Sequence, residues 1–98
     1  MSGQWIEIEA NDGASFSGYL STPRGGKGPG IVLCQEIFGV NPYIQSVADY
    51  YAEEGYVVLA PDLFWRITPG IQLGYTEKDF ERAFQLFGQF DTDQGMND

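Results

Sequence analysis

Two uninterrupted apolar runs, Ile31-Val32-Leu33-Cys34 and Tyr56-Val57-Val58-Leu59-Ala60, flank a segment whose apolar residues recur at helical spacing. A run without polar alternation suits a strand covered on both faces, as in a parallel sheet. Between the runs, Asn41-Pro42 supplies an N-cap and then a proline at the first helical position, where its missing N–H costs nothing. Ile44, Val47, Ala48, Tyr51 and Ala52 fall on one stripe, while Gln45, Asp49, Glu53 and Glu54 point elsewhere, and Gly55 ends the helix in the C′ role. Pro61 cannot donate to a ladder and stops the second strand. Strand, helix and strand make a right-handed βαβ unit of about 30 residues, so the class is α/β.

The flanking segments extend this unit. Trp5 to Glu9 and Phe16 to Leu20, joined through Asn11-Asp12-Gly13, read as two strands of an antiparallel hairpin. Thr22 to Gly30 concentrates glycine and proline and is an exposed connection. Its Gly25-Gly26-Lys27-Gly28 run lacks the spacing of a phosphate loop and does not lead from a strand into a helix. Asp62 to Tyr75 is a loop at the carboxyl end of the second core strand, where open α/β sheets place ligand sites. Asp62 is expected to orient that loop through local backbone hydrogen bonds. Thr76 to Asp79 forms a capping box, and Phe80, Ala83, Phe84, Phe87 and Phe90 give the following helix its apolar face. From Asp91 onward the sequence is polar and trails off.

Composition removes several function classes. The 98 residues fit one domain, and aromatic residues at 15% of the chain make it too apolar for intrinsic disorder. Five basic against fourteen acidic residues give a net charge of −9, which repels nucleic-acid phosphates and anionic membranes. One cysteine and no histidine exclude an internal disulfide and the usual structural zinc patterns. The start lacks the basic and apolar regions of a signal peptide, and no apolar stretch approaches the roughly 20 residues of a membrane helix. A soluble, cytoplasmic protein is expected. Cys34, inside an apolar strand, is expected to be a small buried hydrophobe with an unactivated thiol.

The segment Cys34-Gln35-Glu36-Ile37-Phe38-Gly39-Val40-Asn41 after the first core strand, Ala60-Pro61-Asp62-Leu63-Phe64 after the second, the Pro69-Gly70 loop and the stretch from Ala83 to Asp91 together resemble the dienelactone hydrolase (carboxymethylenebutenolidase) family. The resemblance runs from the hairpin to the end of the chain. It implies the N-terminal portion of an α/β-hydrolase fold: an antiparallel hairpin, then a βαβ unit and a further helix. Residues 1–98 would then be a partial α/β-hydrolase domain lacking its C-terminal half.

By resemblance the activity is hydrolysis of a small-molecule lactone or ester through a Cys-His-Asp triad, with no cofactor. The family's nucleophile elbow, acid and histidine all lie beyond Asp98, so the chain by itself would not be competent. Glu36 matches the glutamate that lies beside the nucleophilic thiol and is displaced when substrate binds. Ile37 follows it in the loop that supplies one backbone N–H to the oxyanion hole of α/β-hydrolases. The family also places an arginine on the helix after the long loop, where it holds a substrate carboxylate. A gap-free alignment over Ala83 to Asp91 puts Phe80 there and Arg82 two residues on, about 200° around the helix. Arg82 is the candidate for that role if the helix start is shifted.

In the α/β-hydrolase strand order, the Ile31–Cys34 strand lies between the Tyr56–Ala60 strand and the nucleophile strand. Without the latter it exposes an apolar edge open to self-association or to pairing with the missing C-terminal half. A rival expectation follows from the same edge: a truncated, non-catalytic module that binds a partner or a second copy of itself.

Overall fold

The structure, a computed structural model, describes residues 3–98. In chain order the elements are β1 (Gln4–Glu9), β2 (Ser15–Ser21), β3 (Gly30–Val32), α1 (Pro42–Glu53), β4 (Val57–Pro61), α2 (Glu77–Gln89) and α3 (Thr92–Asn97). The strands form one mixed sheet in the order β1-β2-β4-β3. β1 with β2 and β2 with β4 run antiparallel, whereas β3 and β4 run parallel on either side of the α1 crossover. The expected hairpin and βαβ unit are both present, and the hairpin turn is closed by a left-handed Gly13.

Register assigns the two faces of the sheet. Tyr19 pairs with Ala60, Ser21 with Val58, and Val58 with Ile31, so these side chains share one face. α1 lies across it: Ile44 and Ala48 are buried with Tyr19, Val58 and Ala60, Ile31 and Leu33 pack alongside, and Ala52 is buried on the same helix. One polar tie crosses this layer. The Tyr19 hydroxyl and Ser21 Oγ both donate to the Asp49 carboxylate, at 3.0 and 2.8 Å. The N-terminus of α1 is closed as expected, with Asn41 accepting from the Ile44 N–H and Pro42 in the first turn.

The opposite face carries Ile8 paired with Phe16, Leu20 paired with Leu59, and Val32 beside Leu59. α1 does not reach it. An apolar cleft of about 380 Å³ lies there, lined by Ile8, Phe16, Val32, Leu59, Trp65 and Phe90, with Met96 of α3 on its rim.

Three expectations need correction. The first core strand ends at Val32 and is not covered on both faces: Val32 is 69% exposed and Cys34 is exposed at the cleft. Among the described residues β3 pairs only with β4, so one edge and one face stay open. Leu33 N–H still donates to Leu59 O at 2.8 Å, which extends the ladder by one bond. The apolar face of α2 is also rotated. Ala83 and Leu86 are fully buried, whereas Phe84 and Phe87 stand 63% and 59% exposed. Finally, residues from Asp91 onward form α3, whose N-cap Asp91 accepts from the Gln94 N–H. None of the described helices is long and apolar enough to cross a membrane.

Candidate functional site

The connections leaving the carboxyl ends of β3 and β4 are tied together, and the ties define a site. Asp62, directly after β4, is buried and takes its place as expected: its carboxylate accepts from Phe64 N–H and Gly70 N–H at 3.2 and 2.8 Å. Burial pushes its pKa above the ordinary carboxylate value, against the lowering effect of the two backbone donors. Across from it, Gln35 Oε1 accepts from Leu63 N–H at 2.9 Å, while the Gln35 amide donates to Glu36 O at 3.1 Å. One side chain therefore bridges the two loops.

Glu36 to Gly39 forms a tight turn closed by Gly39 N–H donating to Glu36 O at 3.1 Å. Gly39 has a φ of 81°, and a Cβ there would collide with the carbonyl oxygen of Ile71. Glycine is required both for the left-handed backbone and for this approach. The loop between β4 and α2 returns to the turn through a bridge between Gly39 and Gln72 and through Leu73 N–H donating to Phe38 O at 2.7 Å. The Asn41 amide, while its oxygen caps α1, donates to Leu73 O at 2.8 Å. Gln45 donates to Gln72 Oε1 and to Val40 O, each at 3.0 Å.

This frame holds Glu36 exposed, with no hydrogen bond or ion pair to its carboxylate among the described residues. Ile37 is half-buried, and its backbone N–H has no acceptor among the described residues. Phe38 is buried, with its ring edge-on to Tyr75 at 4.7 Å and to Phe80 at 5.1 Å. Glu36, Ile37 and Phe38 thus share one turn, and Phe80 meets that turn through the Phe38 ring. Arg82 leaves α2 elsewhere, and its Nη2 donates to Thr68 Oγ1 in the middle of the loop at 3.2 Å. Cys34 faces the apolar cleft on the far side of the sheet from α1.

In the sequence, Gln35, Gly39 and Asn41 stand out only as parts of a motif or as a cap. The left-handed glycine three residues after a carboxylate is the one local signal that the turn is built to a fixed shape. Among the described residues there is no group of three or more His, Cys, Asp or Glu side chains arranged for a metal ion. Chemically, the turn offers one free carboxylate and one free backbone donor within a fixed, partly apolar surround.

The sequence matches the Dienelactone hydrolase family over residues 16–98. It is 38% identical over 94 residues to the carboxymethylenebutenolidase of Pseudomonas sp. strain P51, covering 95% of this chain and 40% of that protein. A protein of Azospirillum brasilense provisionally named a carboxymethylenebutenolidase is 44% identical over 91 residues, covering 91% of this chain and 39% of its own length. In structure, the chain is similar to a provisionally named dienelactone hydrolase of Klebsiella pneumoniae, with a TM-score of 0.78 at 25% identity, covering 97% of this chain and 39% of that one. The chain therefore spans about 40% of the length of these relatives. With the family model matched over residues 16–98 and the fold similar to that of a relative at a TM-score of 0.78, the chain belongs to the dienelactone hydrolase family.

Proposed function

We propose that these 98 residues supply part of the active site of an enzyme that hydrolyses a lactone or ester, with the Cys-His-Asp triad contributed by polypeptide beyond Asp98. In this reading residues 1–98 are a partial α/β-hydrolase domain. A thiolate attacks the substrate carbonyl carbon, the C–O bond of the ring or ester breaks, and an acyl-enzyme forms. Water then cleaves the thioester to release the acid and regenerate the thiol.

Ile37 donates its N–H to the oxygen that gains negative charge as the carbonyl becomes tetrahedral. Glu36 lies beside the thiol and accepts its proton locally, so that the thiolate is formed when substrate is in place. One observation carries the reading: a backbone N–H at Ile37 without an acceptor among the described residues, in a turn at the carboxyl end of a core strand and fixed by the Gly39, Gln72 and Leu73 ties.

The test is a chimera in which residues 1–98 replace the aligned segment of the Pseudomonas carboxymethylenebutenolidase. It should hydrolyse a lactone with a burst of acyl-enzyme, and Glu36→Gln should alter the pH dependence of acylation. A folded chimera without activity would sink the proposal, and an unchanged pH profile in the variant would remove the role given to Glu36. The rival reading, a non-catalytic module that self-associates, draws support from the open edge of β3 and the exposed Val32. Activity of the chimera, in which the rest of the domain covers that edge, favours the enzyme.

A further inference from the structure

We infer that Gln35 is a positioning residue: by holding the Glu36 carbonyl, its side chain fixes the direction in which the Ile37 N–H points. The inference rests on the function proposed above, in which that N–H meets the developing oxyanion.

The Glu36 carbonyl and the Ile37 N–H belong to one planar peptide group, and in a trans peptide the C=O and N–H bonds point in opposite directions. None of the described peptide bonds is cis. Whatever holds the carbonyl therefore aims the N–H. A carbonyl oxygen has two lone pairs, and here Gly39 N–H and Gln35 Nε2 each donate to Glu36 O at 3.1 Å. The Gly39 bond closes the turn on itself, and the Leu73 and Gln72 ties grip the turn at Phe38 and Gly39. Among the described residues, Gln35 supplies the only side chain hydrogen-bonded to the Glu36–Ile37 peptide.

The other end of that side chain is anchored outside the turn, where Gln35 Oε1 accepts from Leu63 N–H at 2.9 Å. Leu63 is itself held firmly. Its neighbour Asp62 donates its own N–H to Ser17 O at 3.0 Å and ties Phe64 and Gly70 through its buried carboxylate. A line of fixed groups thus runs from β2, through the loop after β4, to the peptide that carries the proposed oxyanion donor. The link calls for an amide, because Leu63 N–H needs an acceptor and Glu36 O needs a donor. An ionised glutamate accepts only, and methionine has no donor at all. Two donors on Glu36 O also polarise its peptide group, which strengthens the Ile37 N–H as a donor.

The experiment compares two single variants in the chimera described above, with kcat and KM measured on one lactone at a temperature where both are folded. Gln35→Glu keeps an acceptor for Leu63 N–H, and so the bridge between the loops, but turns a carboxylate oxygen toward Glu36 O. Gln35→Met breaks both bonds and repels nothing. An oxyanion donor acts in the transition state, and removing one outright costs roughly a hundredfold to a thousandfold in kcat. Misaiming it with Gln35→Glu should lower kcat at least about tenfold while KM stays within about twofold. Gln35→Met, which frees the peptide without turning it, should fall between that variant and the native chimera. A side chain that served only to bridge the loops would give the reverse order, with Gln35→Glu close to native and Gln35→Met the poorer. That order, unchanged kcat in both variants, or losses confined to KM would overturn the inference while the proposed function stands. Should Gln35→Met fail to fold, the kcat of Gln35→Glu, which keeps the bridge, decides alone. A native chimera that hydrolyses no lactone overturns the function and this inference with it.

Discussion

At Gly39 the backbone adopts a φ of 81° and passes so close to Ile71 that any side chain would strike its carbonyl oxygen. Gly13 has a similar φ of 86° but no atom within 4 Å of where a Cβ would stand. The pair separates strain from collision. Gly13→Ala should cost about 1 kcal/mol, the penalty of a left-handed conformation for an L residue. Gly39→Ala adds a backbone clash, and should cost about 3 kcal/mol. Urea titrations of the two variants check this, and equal midpoints would mean that the turn and the loop are not held in register by close approach. The role of Asp62 is legible in the sequence because an aspartate after a strand end has few ways to satisfy itself other than nearby N–H groups. The exposure of Cys34 is not: an apolar run indicates what a residue tolerates, and whether anything covers it depends on partners that lie far along the chain.

Among the elements, α1 is legible because its cap, proline, stripe and C′ glycine all act within a few residues of one another. Asn41 nevertheless does more than a cap, since it is only 1% exposed and also donates to Leu73 O. Asn41→Ala should therefore cost about 2–3 kcal/mol, the sum of a lost cap and a buried carbonyl left without a donor. Asn41→Asp keeps the cap but sets a carboxylate against that carbonyl, so thermal melts should place it with the alanine variant rather than with the native chain. The face of α2 departs from its sequence pattern for a physical reason. Its phenylalanines outnumber its buried residues, and periodicity alone favours the larger side chains, whereas the side that is buried carries the smaller Ala83 and Leu86. α3 escapes the pattern because a short polar helix has no stripe. It is held by Asp98, which pairs with Arg66 and accepts from Trp65 Nε1 at 3.1 Å, and by Asn11 donating to Asn97 O at 3.3 Å. The Arg66 guanidinium, above all through its hydrogen bond, keeps the pKa of Asp98 below the ordinary 3.8, and it does the same for Asp12. Folded values lowered in this way stabilise at pH above 3.8 and lose their effect as pH falls through the folded values. Exposed pairs contribute little globally, so the effect is local. Exchange of the Gly95 and Asp98 amides, which bond to Asp91 O and Gln94 O, should accelerate over the acid-catalysed baseline below that pH. Arg66→Gln should give the faster exchange already at neutral pH.

For the molecule as a whole, two features oppose each other: a net charge of −9 and a sheet left apolar on one face and open along one edge. The strand order and the open edge follow from the family resemblance, but the cleft does not, because it arises from the register that sends Ile8, Phe16, Leu59 and Val32 to the side that α1 does not cover. Charge repulsion between copies is long-ranged and screened by salt, with a Debye length that shrinks from roughly 10 Å at 0.1 M to roughly 3 Å at 1 M. Apolar and ladder contacts act at touching distance and are not weakened by simple salt. The chain should therefore sediment mainly as a monomer at low ionic strength and associate as salt is raised, the opposite of an assembly held by ion pairs. Val32→Lys places a charge on the open strand, a device by which natural edge strands resist pairing, at a position that is 69% exposed and so costs little in the monomer. Sedimentation velocity across a salt series should show the association of the native chain rising with salt and that of the variant suppressed by about tenfold or more, since one blocked strand pairing is worth on the order of 1.4 kcal/mol. If the native chain stays monomeric throughout, the open edge is already protected by its own twist and short length; if both associate alike, the contact runs through the exposed Phe84 and Phe87 of α2 instead.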